Sequence, residues 1–69
     1  MFEPRLKETD LVKVRRAVTF KHMKLSVKDI GILLEINIVN GFATGKVFWQ
    51  NTQKYTDDIP TQYLVKVES

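Results

Sequence analysis

At residues 40 and 41 the chain reads Asn-Gly, with apolar, strand-like residues on both sides: GILLEINIV before it and FATGKVFW after it. Asn and Gly both tolerate positive φ, so the pair favours a type I′ turn, whose twist matches that of a two-residue β-hairpin. The turn fixes a register. Val39 is expected opposite Phe42, Ile38 opposite Ala43, Asn37 opposite Thr44 and Ile36 opposite Gly45. Glu35 then faces Lys46, Leu34 faces Val47, Leu33 faces Phe48 and Ile32 faces Trp49. In this register one face collects Ile32, Leu34, Ile36, Ile38, Ala43, Gly45, Val47 and Trp49. The other carries Asn37 with Thr44 and the opposite charges of Glu35 and Lys46. A slip of one residue would exchange the faces, so the sorting supports the register.

The second face is apolar at its two ends, where Leu33 meets Phe48 and Val39 meets Phe42. Two readings of the first pair stay open. Leu33 and Phe48 pack under a loop or terminal strand of a strongly coiled sheet, or they form an exposed patch for a partner. Phe42, beside the turn, is expected to be exposed. Leu33, Phe42 and Phe48 are therefore the candidate protein-binding residues.

The remainder reads as shorter pieces. LKETDLVKV is a first strand, with Thr9-Asp10 turn-prone and Val12 and Val14 alternating with Lys13 and Arg15. Residues 16–29 form a long, partly extended loop; Met23, Val27 and Ile30 are helically spaced, while Val18, Thr19 and Val27 oppose a helix. QNTQKYTDD is polar and turn-rich. Pro60 suits the start of a single 3-10 turn, bracketed by Ile59 and Leu64, and Val65 and Val67 alternate with Lys66 in a closing strand. The expectation is an all-β chain in one domain spanning residues 1–69.

In this order, Asp10-Leu11-Val12-Lys13-Val14, GILLEI at residues 31–36, Lys46-Val47-Phe48-Trp49 and residues 59–67 resemble the SH3-like barrel superfamily, specifically its small Tudor- and KOW-type modules. The same pattern is similar to small uncharacterised proteins encoded by tailed bacteriophages. The resemblance implies a small SH3-like five-stranded barrel with a central Asn-Gly hairpin and a short 3-10 turn before the last strand. Residues 16–29 lack the acidic run with which signalling SH3 domains hold proline-rich peptides, so that activity is not carried over.

Composition narrows the function. The chain has 69 residues, no cysteine and one histidine. No disulfide can staple the fold, and no thiol can act as nucleophile or ligand. Neither a signal segment nor an apolar run long enough to span a bilayer is visible, so no membrane is expected and the cytoplasm, or a virion assembled there, is the expected setting. His22 lies between lysines with no orienting partner, and Asp57-Asp58 are adjacent carboxylates without further oxygen ligands nearby, so neither a catalytic group, a metal nor a cofactor is indicated. A non-enzymatic binding module is the reading that remains.

Two partner classes compete. Protein docking, as an adaptor or a minor subunit of a larger assembly such as a phage virion, uses the apolar hairpin residues; sheet edges also leave an oligomer open. Nucleic-acid binding would use the first 28 residues, which hold eight lysines and arginines against three acids, while residues 29–69 hold three against five. Lys13, Arg15, Arg16, Lys21, His22 and Lys24 could neutralise phosphates, with Phe20 stacking on a base.

Overall fold

The computed structural model describes residues 6–67. Its elements are β1 (Leu11–Val14), β2 (Val18–Phe20), β3 (Met23–Leu25), β4 (Gly31–Val39), β5 (Phe42–Trp49), β6 (Lys54–Pro60), a 3-10 turn (Thr61–Tyr63) and β7 (Leu64–Lys66). Five strands form an antiparallel sheet in the order β6-β5-β4-β1-β7, and β2 pairs with β3 in a separate ribbon. Among the described residues no ladder joins β6 to β7, so the sheet is open at both edges, and there are seven strands where five were expected. The radius of gyration, 11.2 Å, is close to the ~11 Å of one compact unit of this length. No helix among the described residues is long and apolar enough to cross a membrane.

The Asn-Gly turn is present, with φ of 52° at Asn40 and 81° at Gly41. Pairing follows the expected register from Val39↔Phe42 to Glu35↔Lys46. There a bulge intervenes: Leu34 is unpaired, and Leu33 faces Val47, Ile32 faces Phe48 and Gly31 faces Trp49. The extra residue exchanges the faces of the first part of β4. Leu33, expected beside Phe48, is fully buried. Leu34, expected inside, is 37% exposed, and Ile32 turns to the outer face.

Space accounts for the exchange. The regular register would set Ile32 directly against Trp49 on the core side. With the bulge, the residue opposite Trp49 is Gly31, and a β-carbon there would collide with the Val47 side chain and come within 2.9 Å of the indole. Gly45 makes room in the same way for Leu33, whose Cδ1 would lie 2.7 Å from an added β-carbon. The core is Val12, Val14, Leu25, Leu33, Val47, Trp49, Ile59 and Leu64, with Leu6, Val18, Phe20, Met23 and Ile36 packed around it. Trp49 Nε1 donates to Thr56 Oγ1 at 3.0 Å, so the buried indole N–H is satisfied.

Two segments expected to lack strands contain them. Residues 16–29 fold back as the β2–β3 hairpin, and no helix forms over residues 23–30. The polar stretch that contains Lys54 is the edge strand β6, paired with β5 through Tyr55↔Phe48 and Thr56↔Val47. The turn into β4 is closed by Asp29, which accepts from the Ser26 N–H at 2.9 Å and from Asn51 Nδ2 at 3.1 Å.

The bulge makes adjacent leucines unequal. Leu33→Ala is expected to cost about 2–5 kcal/mol, and Leu34→Ala no more than about 1 kcal/mol, in urea unfolding. The uninterrupted register would reverse that order. Gly31→Ala is expected to cost roughly 1–3 kcal/mol through overpacking against Trp49 and Val47, read from the same midpoints.

Candidate functional site

The sheet has a core face and an outer face, set by the alternation of side chains along each strand. On the outer face, Tyr55 lies opposite Phe48, Phe48 opposite Ile32, and Ile32 opposite Leu11. The row continues to Val67, whose N–H donates to the Leu11 carbonyl at 2.8 Å. Apolar side chains therefore cross the sheet from β6 to the end of β7. Tyr55 is 58% exposed and Leu11 42%, while Phe48, Ile32 and Val67 are half-buried. Phe48 and Tyr55 rings meet at 5.0 Å, tilted by 53°.

Lysines border this row. Lys46, two residues from Phe48 on β5, places Nζ 5.4 Å from the Tyr55 ring centroid, within cation–π range. Lys13, two residues from Leu11 on β1, lies opposite Val65. The result is a ridge of aliphatic and aromatic groups with ammonium groups on its flanks.

A second apolar area lies at the tip of the β4–β5 hairpin. Past the bulge, β4 has no partner on its β1 side among the described residues, since β1 pairs only with Gly31 and Ile32. Val39 and Phe42 project to one side of the tip and Ile38 and Ala43 to the other. Phe42 is 75% exposed, and Ile38, expected to face the core, is 72% exposed because the core ends near Ile36 and Ile59. Thr61 Oγ1 donates to the Ala43 carbonyl at 3.3 Å and ties the hairpin to the 3-10 turn.

The structure treats the candidate protein-binding residues differently. Phe42 is open to solvent, and Phe48 belongs to the outer row. Leu33 is withdrawn into the core by the bulge and cannot contact a partner. Sequence reasoning missed Tyr55, Ile32 and Leu11. Tyr55 sat in a stretch too polar to suggest a strand, and the other two join the row only when the register is broken.

The candidate nucleic-acid residues are spread over several places. Lys13 stands on the outer face. Arg15 and Arg16 form the bend after β1, and Arg15 Nε donates to the Gln62 carbonyl at 2.9 Å. Lys21 and His22 are the central residues of the β2–β3 turn, both at positive φ (50° and 68°). Lys21 Nζ donates to the Asp57 carbonyl at 3.0 Å, lies 3.9 Å from the Asp58 carboxylate, and sits 5.4 Å from the Phe20 ring. Phe20 is half-buried against the core, and Lys24 is exposed opposite Thr19. No group of three histidine, aspartate or glutamate side chains converges as a metal site among the described residues.

Comparison of the chain with protein-family models, with curated proteins and with solved structures returns no match.

The β2–β3 turn is type I′ without glycine. His22→Gly is expected to stabilise the fold by roughly 0.5 kcal/mol, because relief of left-handed strain outweighs the entropy of glycine. Lys21→Gly gains the same relief but loses the tie to β6, so it is expected to be neutral or destabilising. Urea midpoints of the two variants test the difference.

Proposed function

We propose that this chain is a non-enzymatic protein-docking module of the SH3-like small-barrel kind, which joins a larger assembly as a minor subunit. The observation that carries the reading is the apolar row Tyr55–Phe48–Ile32–Leu11–Val67 across the sheet, with Tyr55 and Leu11 exposed and the other three half-buried. Apolar side chains lined up on a solvent-facing sheet surface favour a contact role. The flanking Lys13 and Lys46 favour a partner whose apolar patch is rimmed with carboxylates. The five-stranded antiparallel sheet and the 3-10 turn before the last strand support kinship with SH3-like barrels. The phage-virion setting, and with it a cytoplasmic or virion location, draws its support from the pattern of residues 31–36, 46–49 and 59–67.

Nucleic-acid binding is the less supported reading. Strand-tracking proteins line up cations with exposed aromatics, whereas here Lys21 is engaged by Asp57 and Asp58, and Phe20 packs on the core.

The test uses a photo-crosslinking residue at position 55, with the same residue at Gln53 as control, in cells that encode the protein. A discrete adduct from position 55 alone is expected. Leu11→Glu is expected to weaken binding of that purified partner by about thirtyfold or more, the scale of an interface hot spot, with the unfolding midpoint little changed. Equal crosslinking from both positions, or binding indifferent to Leu11→Glu, would remove the outer face as the docking surface.

A further inference from the structure

At the end of β1 the chain bends sharply and is pinned to the 3-10 turn. The Arg15 N–H donates to the Tyr63 carbonyl at 2.8 Å, and Arg15 Nε donates to the Gln62 carbonyl at 2.9 Å. The chain then leaves for β2. Between the bend and the turn lies a groove of about 440 Å³, lined by Arg15, Arg16, Ala17, Val18, Gln62 and Tyr63. That volume falls in the range of ligand sites. It is too small for a folded domain and suits a few residues of extended chain.

The lining has a defined chemistry. Ala17, Val18 and Tyr63 bring apolar groups to the lining. Arg16, Gln62 and Tyr63, all exposed, carry side-chain hydrogen-bond donors. Among the described residues, none of those lining the groove is acidic. Among the described residues, Asp58 lies by Lys21 and Asp10 by Lys66, both away from the groove lining. A planar guanidinium beside donors suits a carboxylate, which it can grip through two parallel bonds.

We infer that this groove receives a short extended acidic segment of a protein partner, with a carboxylate on Arg16 and the aliphatic part of the segment against Val18 and Tyr63. The inference builds on the docking reading and names a second contact for it. None of the lining residues belongs to the outer-face row, so the two surfaces can be tested apart. A nucleic-acid strand fits less well. It would continue past the groove towards Lys21, where the Asp57 carbonyl and the Asp58 carboxylate already occupy the ammonium group and oppose phosphate.

The experiment titrates the isotope-labelled full chain at low salt with three probes of equal length. One is a capped peptide alternating glutamate and alanine, one is its lysine counterpart, and one is an oligothymidylate. The glutamate peptide is expected to shift the amide signals of Arg16, Ala17, Val18, Gln62 and Tyr63, and the lysine peptide is expected to shift none of them. Arg16→Ala is expected to weaken the glutamate peptide about fivefold, as for an exposed charge pair, with Arg16→Lys intermediate. Tyr55→Ala is expected to leave the titration unchanged, which separates this site from the outer face. The rest of the spectrum reports whether each variant is folded. The inference is overturned if the glutamate peptide shifts nothing in the groove or if Arg16→Ala binds it as well as the parent. Tighter binding of oligothymidylate at the same residues also overturns it and reassigns the groove to phosphate.

Discussion

Burial of the Trp49 indole is the requirement around which the sheet is arranged. The largest side chain in the core needs a hole on the facing strand and a partner for its N–H. Gly31 supplies the first and Thr56 the second, from the strands on either side of β5. Loss of a buried Trp side chain costs about 3–5 kcal/mol in a typical core, a large share of what so small a domain can muster. With no cysteine to staple the chain, a poor fit at Trp49 has little to offset it. The bulge at Leu34 follows, because only a one-residue slip brings Gly31 opposite the ring.

The limited core also explains where apolar surface remains. Among the described residues, eight buried hydrophobics form the core, with Val18, Phe20 and Met23 of the β2–β3 ribbon packed against them on one side of the sheet. On the outer face Tyr55 and Leu11 remain exposed, and the β4–β5 hairpin runs past the end of the core before it turns. These two exposures differ in mechanical character. Tyr55, Phe48, Ile32 and Leu11 sit on paired strands whose positions are fixed by ladder hydrogen bonds, so this surface is preformed. Phe42 and Ile38 sit at a tip supported on one side by the Thr61–Ala43 hydrogen bond, which suits an adjustable contact.

Much of the hairpin was legible from residues alone. Asn40-Gly41 specified the turn, and Glu35 with Lys46 marked the register up to that pair. Trp49, Val12, Val14, Ile59 and Leu64 occupy the interior, as their alternation or position beside the 3-10 turn indicated. The bulge was not legible because it falls at Leu33-Leu34, where either leucine satisfies an inward position and the pattern reads the same before and after the slip. The β2–β3 hairpin was hidden because Lys21-His22 is a poor turn sequence by local preference, held by contacts with Asp57 and Asp58 from β6. Strand β6 itself was hidden because an edge strand with one wet face can be largely polar; only Thr56 and Ile59 in it are buried.

The bulge joins core and surface in a single constraint. The slip that carries Leu33 inward and opens Gly31 to Trp49 also carries Ile32 outward, into line with Leu11 and Phe48. Without it, Leu33 would lie beside Phe48, Ile32 would press on the indole, and the outer row would lose its register with Leu11. The alignment of the apolar row is thus not independent of the core. It is the other face of the arrangement that seats Trp49. A chain that keeps its tryptophan buried in this way therefore presents an apolar ridge on its outer face.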